Sequence, residues 1–108
     1  MMITWPCIFK LVGDDELLFI ESKQALEAEC HDLIWGLDDR LIDSKGLSFI
    51  VAPKSDGSIE LEAQKKCYDA EEVSVLIQAH EFAKATVCVT KIHFPTVAQA
   101  IAALQFSQ

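Results

Sequence analysis

Cysteine and histidine are the side chains of this chain most able to do chemistry, as nucleophiles, metal ligands or general bases. The four cysteines are spaced 23, 37 and 21 residues apart, with no C-x-x-C pair and no compact cluster with histidine: Cys7, Cys30, Cys67 and Cys88. This spacing does not match a zinc module. Most of the cysteines lie in apolar patterns, where a free thiol behaves as a small hydrophobe in a reducing compartment. We therefore predict no metal site and no cofactor.

The histidines leave one catalytic alternative open. His31 directly follows Cys30, but neighbouring residues of a helix point about 100° apart, so this pair does not converge. A small cysteine-dependent enzyme would instead need Cys30 to meet His80 or His93 in space. His80 lies on the apolar stripe of a predicted helix, where a hydrogen-bonded core role is typical, and His93 lies in a predicted loop.

Other ligand-binding motifs do not occur in the sequence. The acidic turns do not follow the EF-hand frame, and the glycines are scattered singly, so neither a dinucleotide fingerprint nor a P-loop is present. Lys65 and Lys66 form a single basic pair, whereas sequence-independent affinity for nucleic acid needs several neutralised phosphates. We therefore do not expect a nucleic-acid partner.

Acidic side chains are concentrated in the first 43 residues. Ten carboxylates face three bases there, a net charge of −7, whereas the remaining 65 residues carry −1 of the total of −8. Such a field repels anionic membranes and accelerates encounter with a basic surface. The sequence does not determine the function. We predict first a non-catalytic protein-binding or adaptor module; the alternatives are an inhibitor or immunity-type protein, a small cysteine- or histidine-dependent enzyme, and a structural homodimer. The acidic face comprises Asp14, Asp15, Glu16, Glu27, Asp38 and Asp39.

The order of predicted elements begins with a hairpin whose strands, 5–12 and 17–21, flank the turn 13–16. Ser22 is a candidate N-cap for a helix that ends near residue 31 or 34. Strands follow at 40–42, 47–52 and 58–63. A second helix begins at a capping-box pair formed by Asp69 and Glu72 and ends near residue 84. The last elements are a strand at 86–92 and a short helix capped by Thr96.

These elements predict an α+β fold. Its sheet is antiparallel or mixed, with five to six strands, and two longer helices and a short C-terminal helix pack on it; one covered face is the simplest arrangement. No linker divides the chain, so residues 1–108 form one domain. Residues 1–9 are far shorter than the roughly 20 apolar residues of a membrane span, and no basic segment of a secretory signal precedes them. We expect a cytoplasmic protein.

The two faces of the first hairpin are both apolar. Pairing of Leu11 with Leu18 would place Cys7, Phe9 and Ile20 on the core side. The reverse side is then more apolar than a sheet face in water normally is, so either helices or a second copy of the chain must cover it. A homodimer, as the alternative to a monomer, would use Ile8, Val12, Leu17 and Phe19.

The opening of the chain resembles short uncharacterised protein families of proteobacterial genomes. The similarity lies in the segment from Trp5 to Lys10, which leads into the acidic turn 13–16, and in the size and acidity of the whole chain. It implies a bacterial protein and transfers neither an activity nor site residues.

Overall fold

The computed structural model describes residues 3–13, 17–32, 35–84 and 94–104. In this part of the chain it shows an α+β fold with a five-stranded antiparallel sheet and three helices, which confirms the predicted class. The elements are β1 (Cys7–Lys10), β2 (Leu17–Ile20), α1 (Lys23–Asp32), β3 (Arg40–Ile42), β4 (Leu47–Pro53), β5 (Ile59–Cys67), α2 (Ala70–Lys84) and α3 (Val97–Leu104). None of these helices is both long and apolar enough to cross a membrane.

The sheet has the strand order β2-β1-β3-β4-β5. β1 pairs with β2 so that Cys7 lies opposite Ile20 and Phe9 opposite Leu18. The predicted pairing of Leu11 with Leu18 is therefore wrong by two residues. Because side chains alternate between the faces with a period of two, this shift leaves the predicted core face unchanged.

One face of the sheet packs on α1. Cys7, Phe9 and Ile20 lie on this face with Leu26 and Cys30 of the helix, and all five are buried. Further members of this first core come from β3, β4 and β5: Leu41, Phe49, Val51 and Ile59. The helix begins where predicted, since the Ser22 hydroxyl accepts a hydrogen bond from the backbone N–H of Ala25 at 3.2 Å.

The opposite face packs on α2 and α3, so the expectation of helices on a single face is wrong. The second core contains Ile8, Leu17 and Ile42 of the sheet, and it contains Val73, Ile77, Val97, Ala100, Ile101 and Leu104 of the helices. The capping box of α2 forms as predicted: Glu72 N–H donates to Asp69 at 2.8 Å, and Asp69 N–H donates to Glu72 at 3.1 Å. At α3, Gln99 N–H donates to the Thr96 hydroxyl.

A buried carboxylate organises the turn between β3 and β4. Asp43 is 0% exposed and accepts hydrogen bonds from the backbone N–H groups of Thr4, Lys45 and Leu47 at 2.9 to 3.0 Å. Gly46 lies in this turn with φ of 87°, and its carbonyl accepts the N–H of Tyr68 at 2.7 Å. A Cβ at position 46 would overlap the Tyr68 carbonyl. The turn therefore fixes the segment that leads into α2.

β5 is longer than the predicted strand 58–63. Phe49 of β4 lies opposite Ala63, whereas Leu47 lies opposite Cys67, so β5 contains two additional residues in between. The Ser48 hydroxyl donates to the Lys66 carbonyl at 2.6 Å within this irregular stretch. The predicted strand at 86–92 lies outside the described residues.

Candidate functional site

Asp39, one of the six residues of the predicted acidic face, is a buried structural group. Its side chain is 6% exposed. One carboxylate oxygen accepts the N–H of Val12 at 2.6 Å, and the other accepts the N–H of Gly36 at 2.7 Å. The carboxylate therefore joins the end of β1 to the turn before β3. The prediction that Asp39 contributes to the acidic surface is wrong, because both oxygens face the backbone.

The two segments that Asp39 joins carry exposed apolar side chains. Val12 is 68% exposed and Leu37 is 64% exposed. Asp38 follows Leu37 and is exposed to solvent. The Arg40 guanidinium donates to the Leu37 carbonyl at 2.6 Å and thereby helps to fix the turn. We call the surface formed by Val12, Gly36, Leu37 and Asp38 over Asp39 the Asp39 corner.

Besides Asp38 and Asp39, the structure describes one residue of the predicted acidic face, Glu27. Glu27 is half-buried on α1 and lines a cleft of about 70 Å³ together with Cys30, His31 and Trp35. Trp35 directly precedes the corner in sequence, and its indole N–H donates to the Val51 carbonyl at 2.8 Å. The acidic turn of Asp14, Asp15 and Glu16 lies outside the described residues.

The predicted self-association surface is mostly covered within the chain itself. Ile8 and Leu17 are 0% exposed and pack in the second core, under α2 and α3. Phe19 is half-buried against the same core, and Val12 belongs to the Asp39 corner. The prediction of an interface at Ile8 and Leu17 is wrong, because helices cover these side chains.

The structure does not bring Cys30 and His80 together. Cys30 lies in the first core, whereas His80 belongs to α2 on the opposite side of the sheet. His80 is 0% exposed, and its Nδ1 accepts the N–H of Leu17 at 2.9 Å, so it holds β2 to the helix. Burial, with smaller contributions from Glu29 and Glu27, raises the pKa of the Cys30 thiol to about 11. A nucleophilic cysteine requires the opposite shift.

The other described thiols differ in their accessibility. Burial, with a contribution from Asp43, raises the pKa of Cys7 far above its ordinary value. Cys67 at the end of β5 is exposed. Cys88 and His93 lie outside the described residues. Among the described residues, no three His, Cys, Asp or Glu side chains are placed to share a metal ion.

A groove over the first turns of α2 was not predicted from the sequence. It has a volume of about 390 Å³ and is lined by Tyr68, Asp69, Glu71, Glu72, Val75 and Leu76. Val75 is 57% exposed. The sequence feature that could have indicated this groove is Val75, an aliphatic residue that lies outside the apolar stripe of α2 and near the acids Asp69, Glu71 and Glu72. We call this feature the α2 groove.

The corner and the groove lie toward opposite ends of β3. The Asp39 corner precedes Arg40, where the strand begins. The turn that follows Ile42 contains Gly46, which contacts Tyr68 of the groove. The two surfaces can therefore be varied independently.

Comparisons with known proteins identify a family whose function is unknown. The model of the DUF4144 family, described as a protein structure with unknown function, matches residues 5–104. A solved NMR structure of a protein from Shewanella amazonensis, a proteobacterium, is similar with a TM-score of 0.70 and 25% sequence identity, over 99% of this chain and 91% of that chain. No curated protein matches the chain. The resemblance to small uncharacterised proteobacterial families is thus confirmed, and the chain belongs to the DUF4144 family.

Proposed function

We propose that this domain is a non-catalytic protein-binding module that contacts a basic partner through the Asp39 corner. The observation that carries the proposal is the exposure of Val12 and Leu37 on two segments that one buried carboxylate holds together. An apolar centre on a rigid backbone, surrounded by charge, is typical of an interaction surface.

The charge around the corner defines the partner. Asp38 is exposed beside Leu37, and Asp14, Asp15 and Glu16 directly follow Gly13 in the sequence. These four acids outnumber the two cationic groups at the corner, Lys10 and Arg40, which donate to the Leu11 and Leu37 carbonyls. An excess of negative charge accelerates association with a positive surface, and this effect weakens as salt screens the charges. The partner is therefore a protein with a basic rim around an apolar contact.

We also propose that the protein works in a reducing compartment, the cytoplasm. Cys7, Cys30 and Cys67 are free thiols, and free thiols persist in the cytoplasm. Cell fractionation tests this location: recovery with periplasmic or extracellular proteins would contradict it.

Capture from native lysate at low and high salt tests the binding function. The test variant combines Leu37→Ser with Asp38→Asn. The matched control combines Ala28→Ser with Glu29→Gln on α1, outside both surfaces, which also makes one exposed apolar side chain polar and removes one exposed charge. We expect a basic protein to be retained at low salt by the wild type and by the control, and to be lost from the corner variant.

Two results would overturn the proposal. Retention of the same protein by the corner variant would show that the corner does not bind it. Equal loss from both variants would show that binding follows net charge rather than this surface. Size-exclusion chromatography of the wild type measures the oligomeric state in parallel, because a self-associating chain would retain its own copies.

A further inference from the structure

The α2 groove is lined by both apolar and acidic side chains. Leu76 and Tyr68 pack against the second core and form part of its walls, and Val75 projects into solvent with 57% exposure. The carboxylates of Asp69, Glu71 and Glu72 belong to the same lining. The volume of about 390 Å³ lies within the range of roughly 300 to 1,000 Å³ that is usual for ligand sites.

An ammonium group of the chain itself already uses two members of this lining. The Nζ of Lys66 donates a hydrogen bond to Glu72 and lies 5.0 Å from the centroid of the Tyr68 ring. A carboxylate and an aromatic face are the two partners that stabilise a desolvated cation. Lys66 and Glu72 both remain partly open to solvent, with side-chain exposures of 53% and 40%. A cation from another molecule can therefore compete for the same partners.

The carboxylates of the groove are not equally available to a cation from another molecule. Asp69 and Glu72 accept each other's backbone N–H groups in the capping box. Glu71 is exposed in the first turn of the helix. A bound cation would therefore meet Glu71 directly and share Glu72 and Tyr68 with Lys66.

We propose that the α2 groove binds a lysine or arginine side chain of an apolar and basic peptide segment. The cationic group lies between Tyr68, Glu71 and Glu72, and an aliphatic side chain of the same segment packs on Val75 and Leu76. Charge complementarity selects this occupant, because the lining carries three carboxylates, of which only one is paired with Lys66. The apolar part of the lining selects a peptide over a small free amine. Lys66 is an internal competitor that lowers the affinity.

This site is separate from the Asp39 corner and does not depend on the function proposed for it. Removal of any positive charge from the chain should strengthen binding of a cationic peptide, so the size of the effect, rather than its sign, tests this site. Removing the charge of Lys66 should strengthen binding more than removing the charge of another lysine on this acidic chain.

Fluorescence anisotropy with a labelled decapeptide of alternating arginine and leucine tests the proposal on the full chain. We expect Glu71→Gln and Val75→Ser each to weaken binding about threefold, and Lys66→Met to strengthen it about threefold, in line with exposed ion pairs and partial apolar burial. The controls are Glu29→Gln and Lys23→Met on α1, which are exposed residues with the same changes of charge. These controls should change the affinity less than 1.5-fold.

A second readout locates the peptide. In ¹H–¹⁵N spectra, the amide signals of Tyr68, Glu71 and Val75 should shift on titration, and the corner variant with Leu37→Ser and Asp38→Asn should bind as the wild type does. Spectra of each variant without peptide verify its fold.

Three outcomes would overturn the inference: equal effects in the α1 controls, shifts confined to the Asp39 corner, or no binding of the peptide by wild type and Lys66→Met alike. Shifts confined to the corner would leave the proposed function intact. Conversely, a groove that binds the peptide normally while the corner captures no basic partner would refute only the proposed function.

Discussion

Three aspartates close together in sequence should differ sharply in their contribution to stability. Asp38 is exposed, Asp39 accepts two backbone N–H groups, and Asp43 accepts three. Replacement of each by alanine removes the same charge from a chain of net charge −8. Any difference among the three variants must therefore come from hydrogen bonds and burial rather than from net charge.

The expected losses follow from the number of bonds. A hydrogen bond to a charged group contributes about 1.5 to 3 kcal/mol. The two donors of Asp39 lie on the exposed residues Val12 and Gly36, where water can replace the carboxylate, so we expect Asp39→Ala to lose about 2 kcal/mol. Asp43 is 0% exposed, so water does not replace its carboxylate, and the loss of three bonds in Asp43→Ala should cost about 4.5 kcal/mol. Asp38→Ala should stay within about 0.5 kcal/mol of the wild type.

Urea unfolding followed by tryptophan fluorescence measures these losses. Trp35 is a suitable reporter, because its indole is hydrogen-bonded to Val51 in the first core. With a slope of about 1.5 kcal/mol per molar urea, Asp43→Ala should lower the midpoint by about 3 M. If this variant does not fold, Asp43→Asn replaces it. The amide keeps one acceptor oxygen, so its loss should be about half as large.

The order of the losses decides the outcome. Equal losses for all three variants would show that these aspartates act through net charge. A loss below about 0.5 kcal/mol for Asp39→Ala would show that water fully replaces its carboxylate, and the Asp39 corner would then not be a rigid surface.

Three further predictions concern the turn, the first core and α2. Gly46→Ala should lose about 3 kcal/mol or more in urea unfolding, because it adds a clash with the Tyr68 carbonyl to the strain of a positive φ; Gly57→Ala, also at positive φ but in open space, should lose only about 1 to 2 kcal/mol, and equal losses would refute the contact. The pKa of the Cys30 thiol is raised from near 9 to about 11, so the unfolded state ionises first as the pH rises, and stability that is complete below pH 9 is lost toward pH 11. Between these values the free energy of unfolding of the wild type should fall by about 2 kcal/mol more than that of Cys30→Ala. Parallel pH curves for the two proteins would contradict the shift. Asp69→Ala removes the N-cap of α2 and should cost about 1 kcal/mol, with faster amide exchange confined to the first turn of the helix; uniform exchange would indicate global destabilisation instead.

Local features of the fold could be predicted from the sequence, because they depend on residues that are close together in the chain. Ser22, the pair of Asp69 and Glu72, and Thr96 each cap a helix where the pattern indicates. The apolar character of the second face of the first hairpin also predicted correctly that other elements cover this face.

Long-range contacts decided the features that could not be predicted. The register of the hairpin differs by two residues, and the N–H of Val12 bonds to Asp39 instead of to a strand, across 27 positions of sequence. The same bond buries a carboxylate that the charge pattern assigns to the surface. The cover over Ile8 and Leu17 also could not be predicted, because it comes from α2 and α3, which are distant in sequence from the hairpin.

The double-sided burial of β1 has a consequence for the order of events during synthesis. Residues 7–67 contain the five described strands and α1, whereas the helices that cover Ile8, Leu17 and Ile42 come from the last third of the chain. At about 5 to 20 residues per second, this last third takes several seconds to synthesise. Until α2 and α3 pack on it, a sheet formed by residues 7–67 exposes Ile8, Leu17 and Ile42, so a released fragment that ends before α2 should bind a holdase chaperone.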